Sequence, residues 1–366
     1  MFDHRHYVPI LKGKDGEFGA LHELSKDAKS NMTPLIDVLR VPLDWEKGRP
    51  SKPLHEHLAR ISEQIRKSWL SNRPVFVDLY DTDPKARTSD GTHPMKYLTD
   101  RLRDAEVGAI PVTGLDRDDD YQKAVSESVS KDSRGVCVRV QGEDMEDFES
   151  LEVGLARLLK ALRQKRMEVD LLLDFRETRS ENLRLASDLA VSLLGELENV
   201  PDYRTVTVAA SSFPGTLKEV EPQSIDSIPR VELELWQDIL SAGKKLLRLP
   251  SFGDYGICHP DYPDLDPRTY TPSASIRYTL DEDWLIVKGA TLKKLKYEQF
   301  HELSRALVAR KEFYGPKFSW GDQKISECAK RRGGTGNLTT WRKIGTNHHL
   351  TLVAEQVKKL SARISV

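Results

Sequence analysis

Cysteine is scarce in this chain, and the three that occur, Cys137, Cys258 and Cys328, are far apart with no C-x-x-C pair. That spacing argues against a disulfide framework and a structural zinc site, and fits a reducing compartment. No run of 18 apolar residues exists, and the opening MFDHRHYVPI has no apolar core of a signal sequence, so a soluble, cytoplasmic protein without a membrane partner is expected. An excess of charge of one sign is missing too: 56 basic against 57 acidic side chains leave −1, which removes the simplest argument for a nucleic-acid binder. Aromatic residues are 7% of the chain, modest for the stacking platforms of a glycosidase.

What the chain does have is alternation. Short β-branched runs alternate with longer amphipathic ones, the signature of βαβ units on a parallel sheet. Eight short runs are read as strands: Tyr7 to Leu11, Thr33 to Val38, Pro74 to Leu79, Gly108 to Thr113, Gly135 to Val140, Val169 to Asp174, Thr205 to Ala210 and Lys245 to Leu249. Helical segments lie between them, such as Glu146 to Gln164, where Leu151, Leu155, Leu158, Leu159 and Leu162 make one stripe. VDLLLDF and PVFVDLY are continuous apolar runs, as strands covered on both faces require. An open doubly wound sheet would share this pattern, but eight units of about 30 residues fit a closed (β/α)8 TIM-type barrel better.

Past Phe252 the rhythm changes. Asp254 to Pro272 is rich in Pro, Asp and Tyr and reads as a long loop over the barrel mouth. A hairpin across the LDED turn, two helices, a flexible GGTGN turn and a last helix of about His349 to Leu360 follow. The expected organisation is a barrel over residues 1–253, an insertion or cap over 254–346, and a final helix, 347–366, packing back on the barrel. The segments LKGKDGEFGAL, TPLIDV, VFVDLYD and WRKIGTNHHLTLV resemble the Beta protein family of phages and bacteria. The most specific parts are Lys14-Asp15-Gly16-Glu17 and the W-x-x-x-G-x-N-H-H tail, Trp341 to His349. The resemblance covers nearly the whole chain; it implies a barrel and, from the family's distribution, a place in phage–host conflict such as antiviral defense, but no reaction.

In such a barrel, active sites sit at the C-terminal ends of the strands. Glu17, Asp37, Asp78 and Asp174 are the candidate catalytic carboxylates there; Lys12, Lys14, Arg139, Arg176, Ser212, Asp254 and Tyr255 are the candidate substrate-binding groups, with Asp81, Thr113, Gln141 and Ser211 also at strand ends. Carboxylates on several strands can hold a hard divalent cation, magnesium or manganese, or act as general acid and base; lysine and arginine suit an anionic substrate. The bland alternative is that these charges neutralise one another and bind nothing. His348 and His349 are adjacent and diverge by about 100° on a helix, so they cannot form an i, i+4 metal pair. With Asn347 read as an N-cap, His348 is expected to face the mouth from a helix N-terminus. His4, His6, His55 and His57 are read as structural. SSFPGT lacks the G-x-S-x-G pattern of a serine nucleophile, and GGTGN lacks the P-loop spacing, although Lys330, Arg331 and Arg332 precede it.

Two functions compete on this reading. One is a metal-dependent phosphodiesterase or nuclease-like hydrolase acting on an anionic substrate. The other is a non-catalytic recognition module for a nucleotide, nucleic acid or protein partner. What separates them is whether Asp37, Asp78 and Asp174 cluster for a metal or are each paired with Lys or Arg.

Overall fold

The computed structural model describes residues 2–362 apart from 198, 262–265, 267 and 270. Eight strands, all parallel, close into a barrel: β1 Tyr7–Leu11, β2 Leu35–Asp37, β3 Val75–Asp78, β4 Ala109–Thr113, β5 Val136–Gln141, β6 Val169–Glu177, β7 Thr205–Ser211 and β8 Ser251–Asp254, with β1 pairing both β2 and β8. Alternate residues divide between two apolar layers. Val8, Ile10, Leu35, Phe76, Ile110, Val112, Cys137, Leu172 and Ala209 fill the interior. Tyr7, Ile36, Val77, Val138, Leu171, Leu173, Val208 and Phe252 face outward onto the helices. The helices follow from their stripes; in Phe148–Leu162 all five expected leucines are buried, and Asp147 caps the start by accepting from Ser150 N.

The eighth strand lies six residues beyond where the sequence places it. Lys245 to Leu249 is a connecting segment in which Leu247 is exposed and Arg248 donates to the carbonyls of Tyr203 and Arg204. Pro250 follows, and the strand begins with Ser251, whose hydroxyl pairs with Thr207 at 2.7 Å. Small residues are required here: a Cβ on Gly253 would lie 2.8 Å from Ala209 Cβ and 3.0 Å from Val8 O.

Beyond the barrel, Ser273–Thr279 and Asp283–Thr291 form the expected hairpin, and Ser224–Pro229 from the seventh crossover adds a third antiparallel strand to it. Helices Phe300–Val308 and Trp320–Ala329 cover this sheet around a second core that includes Tyr278, Leu285, Phe300, Ile325 and Trp341. The last helix is longer than expected, Leu338–Ser361, and crosses the boundary placed at residue 346. Its first half packs Trp341 and Ile344 into the second core; its second half packs Leu350, Val353, Ala354 and Val357 against the barrel. It therefore closes the barrel and carries the added unit at once. No helix among the described residues is long and apolar enough to cross a membrane.

Two histidines, His6 and His57, are buried without a carboxylate partner among the described residues. His6 stacks on Phe2 and meets Thr33 Oγ1 at 2.9 Å, and burial pushes it down to about 3. Burial also lowers His57. An unfolded chain protonates such groups near pH 6.5, whereas folded His6 resists until about pH 3, so unfolding takes up protons between those values and stability falls as pH drops through that window. At ~1.4 kcal/mol per unit the loss is on the order of a few kcal/mol. Urea midpoints measured from pH 7 down to pH 4 should decline, and decline less in His6→Gln; a flat profile in the parent protein would contradict this.

Candidate functional site at the barrel mouth

The inward parity that fills the interior with apolar side chains also delivers inward residues near the C-terminal ends of several strands to one point. Lys12 follows Ile10, Asp37 follows Leu35, Asp78 follows Phe76, Arg139 follows Cys137, and Asp174 follows Leu172. Asp37 and Asp78 are paired in register on neighbouring strands, an arrangement of like charges that needs cations. Arg139 supplies one: its Nη1 is 2.7 Å from Asp78 Oδ2 and 4.0 Å from Asp37 Oδ2, and its Nε is 2.8 Å from Asp174 Oδ2. Its Nη2 donates to the Tyr255 hydroxyl at 2.6 Å, which donates in turn to Asp174 Oδ2 at 2.6 Å. Lys12 Nζ donates to Asp37 Oδ2 at 2.7 Å, and Arg117 Nη2 lies 3.2 Å from Asp78 Oδ1. All of Lys12, Asp37, Asp78, Arg139, Asp174 and Tyr255 are buried.

Burial alone would raise the Asp174 carboxyl, but Arg139 and the Tyr255 hydroxyl outweigh it and hold Asp174 below the usual carboxylate range. Burial drives the Tyr255 phenol well up, so it stays a proton donor. For Arg139 burial works against the charge, and Tyr255, Asp174 and Asp78 reverse it. The network is charged, and each of its three aspartates is paired with a lysine or arginine. Above it lies a feature the sequence reading missed: the half-exposed ring of Tyr80 sits among three guanidiniums, with Arg117, Arg139 and Arg176 at 4.9, 5.5 and 5.3 Å from its centroid. Arg176 stands at a register shift in β6 with φ of +52°, a left-handed conformation that turns its side chain off the strand's line. Arg117 Nε, Arg176 Nη1 and Asp37 Oδ1 are all buried without a hydrogen-bond partner. Arg117 and Tyr80 lie just past strand ends in loops, where no periodicity marks a side chain's direction.

Several expected members stand elsewhere. Asp254 has the opposite parity: with Phe252 it faces the helices, where it accepts from the Tyr7 hydroxyl at 2.5 Å and meets His349 Nε2 at 2.9 Å. Ser212 accepts from Val231 N and donates to Pro229 O and Glu232, joining the crossover to the start of a helix. Lys14 precedes helix Asp15–His22 without a side-chain cap, and Glu17 in that helix accepts from Lys14 N and from Cys258 Sγ at 3.4 Å, a sulfur that Arg342 approaches at 3.1 Å. His348 does not face the mouth. The residue capping the last helix is Asn337, which accepts from Thr340 N; Asn347 is mid-helix, bonded to Gly321 N and Ala20 O. His348 is therefore buried inside the added unit, with Nδ1 2.8 Å from Asp322 Oδ2, Nε2 2.8 Å from Thr279 O, and its ring stacked on Tyr278.

The residues do not fit magnesium or manganese. Among the described residues no three carboxylate, histidine or cysteine groups stand together as metal ligands would, and at Asp78 and Asp174 an ion would have to displace a guanidinium. A family model described as Beta protein matches residues 7–355. The chain belongs to the Beta protein family. Among curated proteins, Protein beta of Enterobacteria phage P4 is 21% identical over 360 residues, which cover 95% of this chain and 93% of that one. Among solved structures, a triosephosphate isomerase from Bartonella henselae aligns with 70% of this chain and 94% of its own at 9% identity and a TM-score of 0.37. The spore cortex-lytic enzyme SleL of Bacillus megaterium aligns with 81% and 68% at 10% identity and a TM-score of 0.30. In this Beta protein family chain the N-H-H tail is a clamp: Asn347 and His348 hold the added unit together, and His349 ties the same helix to β8.

Proposed function

We propose that this Beta protein family member is a non-catalytic recognition module whose barrel mouth holds the anionic group of a phosphate-bearing ligand. The observation that carries this reading is the pair of buried guanidinium nitrogens, Arg117 Nε and Arg176 Nη1, left without acceptors beside the Tyr80 ring. Unpaired buried donors are costly, and an anion would satisfy both. The carboxylates that a hydrolase would use are already engaged: Asp37 by Lys12, Asp78 by Arg139 and Arg117, and Asp174 by Arg139. A hydrolytic reading keeps one supporting observation, the unpartnered Asp37 Oδ1, which has the position of a base but shares its carboxylate with the Lys12 ammonium.

Pyrophosphate titrated by calorimetry in the presence of EDTA should bind saturably, and Arg176→Ala should weaken it at least tenfold, about 1.4 kcal/mol. Turnover of a phosphodiester with manganese that disappears in Asp78→Asn would replace the recognition reading with the hydrolytic one.

A further inference from the structure

A cavity lies away from the barrel mouth, in the added unit. It is a groove of about 650 Å³ between helix Trp320–Ala329, the GGTGN turn and the first turns of the last helix. Its apolar lining comes from Trp320, Trp341 and Ile344; its charged lining comes from Lys324, Arg332 and Lys343 together with Asp15 and Glu327, which leaves an excess of cations. The lysines stand over the Trp320 ring, with Lys343 Nζ at 4.2 Å and Lys324 Nζ at 5.7 Å from its centroid. They also reach Glu23 and Glu327, in partly exposed pairs that bind weakly and exchange easily. Arg332 also lines the groove; its backbone N–H donates to Glu327 O, and its charge acts on the Glu327 carboxylate.

We infer that this groove is a second ligand site, separate from the mouth, and that it takes a mononucleotide-sized ligand. The volume lies within the range of small-molecule sites, roughly 300–1,000 Å³. The partly exposed Trp320 indole beside ammonium and guanidinium groups offers the two things a nucleotide needs, aromatic surface for the base and cations for the phosphate. This inference does not depend on what the mouth binds.

The test uses a fluorescent ATP analogue carrying a base-linked or ribose-linked reporter, titrated into the full chain. Gly334 is the most telling position. Nothing lies within 4 Å of the place where its Cβ would be, so Gly334→Glu adds an anion at the rim at no steric cost to the fold. The expected result is saturable binding with one component that Gly334→Glu and Arg332→Ala each weaken tenfold or more, that Arg332→Lys partly restores, and that persists in Arg176→Ala; a second component lost in Arg176→Ala belongs to the mouth. Absence of saturable binding would overturn the inference, as would binding indifferent to Gly334→Glu and Arg332→Ala. Binding lost only in Arg176→Ala would assign the nucleotide to the mouth and leave the groove without a ligand.

Discussion

Arg139→Met should be among the most destabilising single substitutions in this protein, at about 3–5 kcal/mol, because it strands buried carboxylates of which none can reach water. Arg139 touches Asp78, Asp174 and the Tyr255 hydroxyl at once, and its side chain is fully buried. Lysine should not replace it: one ammonium is a point charge and cannot span partners on β3, β6 and the β8 loop as a planar fork does. The origin of the loss can be separated from lost volume. Arg139→Met combined with Asp78→Asn and Asp174→Asn removes the stranded charges and should recover most of the urea midpoint. If Arg139→Met alone unfolds within about 1 kcal/mol of the parent, the mouth is not the tightly coupled ion network described above.

The second large effect belongs to the tail. His348→Ala removes a stacked ring and leaves Asp322 buried without its imidazole, with the Tyr278 and Ser319 hydroxyls beside it. His349→Ala leaves Asp254 with the Tyr7 hydroxyl and Gly256 N. Burial lowers His349 against the opposing pull of Asp254, and Asp254 in turn is held low by His349 despite its own burial. Each substitution is expected to cost about 3–5 kcal/mol, a large share of the roughly 5–15 kcal/mol that a domain has. Each should leave pyrophosphate affinity at the mouth unchanged under conditions where the variant is folded. Chemical denaturation of the two variants checks the first statement and calorimetry the second; a His348→Ala protein of parental stability with lost binding would return that residue to the ligand site.

Much of the fold could be read from residue order because parallel strands covered on both faces are continuous apolar runs; PVFVDLY and VDLLLDF leave little choice of period or partner. Strand eight escaped for the converse reason. Ser251, Phe252, Gly253 and Asp254 carry one large apolar side chain, while the preceding connection, Lys245 to Leu249, has three leucines and outbids it on hydrophobicity. That error carried a second one with it. Once the strand is moved, Asp254 becomes its last residue with outward parity, and Tyr255 the inward one; side-chain direction has a period of two, so register decides membership of the site. Lys12, Asp37, Asp78, Arg139 and Asp174 were legible because their strands were placed correctly to the residue that counts.

Other features left no local signal. Ser224–Pro229 is a partly exposed edge strand ending in proline, recognisable only by its partner Asp283–Thr291. Asn347-His348-His349 looks like a polar helix start, yet all three are buried mid-helix because Gly321, Asp322 and Asp254 await them from distant parts of the chain. Tyr80 and Arg117 took their meaning from a ring-and-guanidinium arrangement that exists only after the barrel closes.

The proposed recognition role requires that Arg117 and Arg176 keep guanidinium donors free for an anion while Arg139 is committed to the carboxylates. The most direct measurement is the nitrogen-15 resonance of the arginine Nε–H groups, assigned by substitution and followed while pyrophosphate is added in EDTA. The Arg117 and Arg176 signals should shift and saturate together while that of Arg139 stays in place. Arg117 and Arg176 signals that do not move, or an Arg139 signal that moves alone, would contradict it.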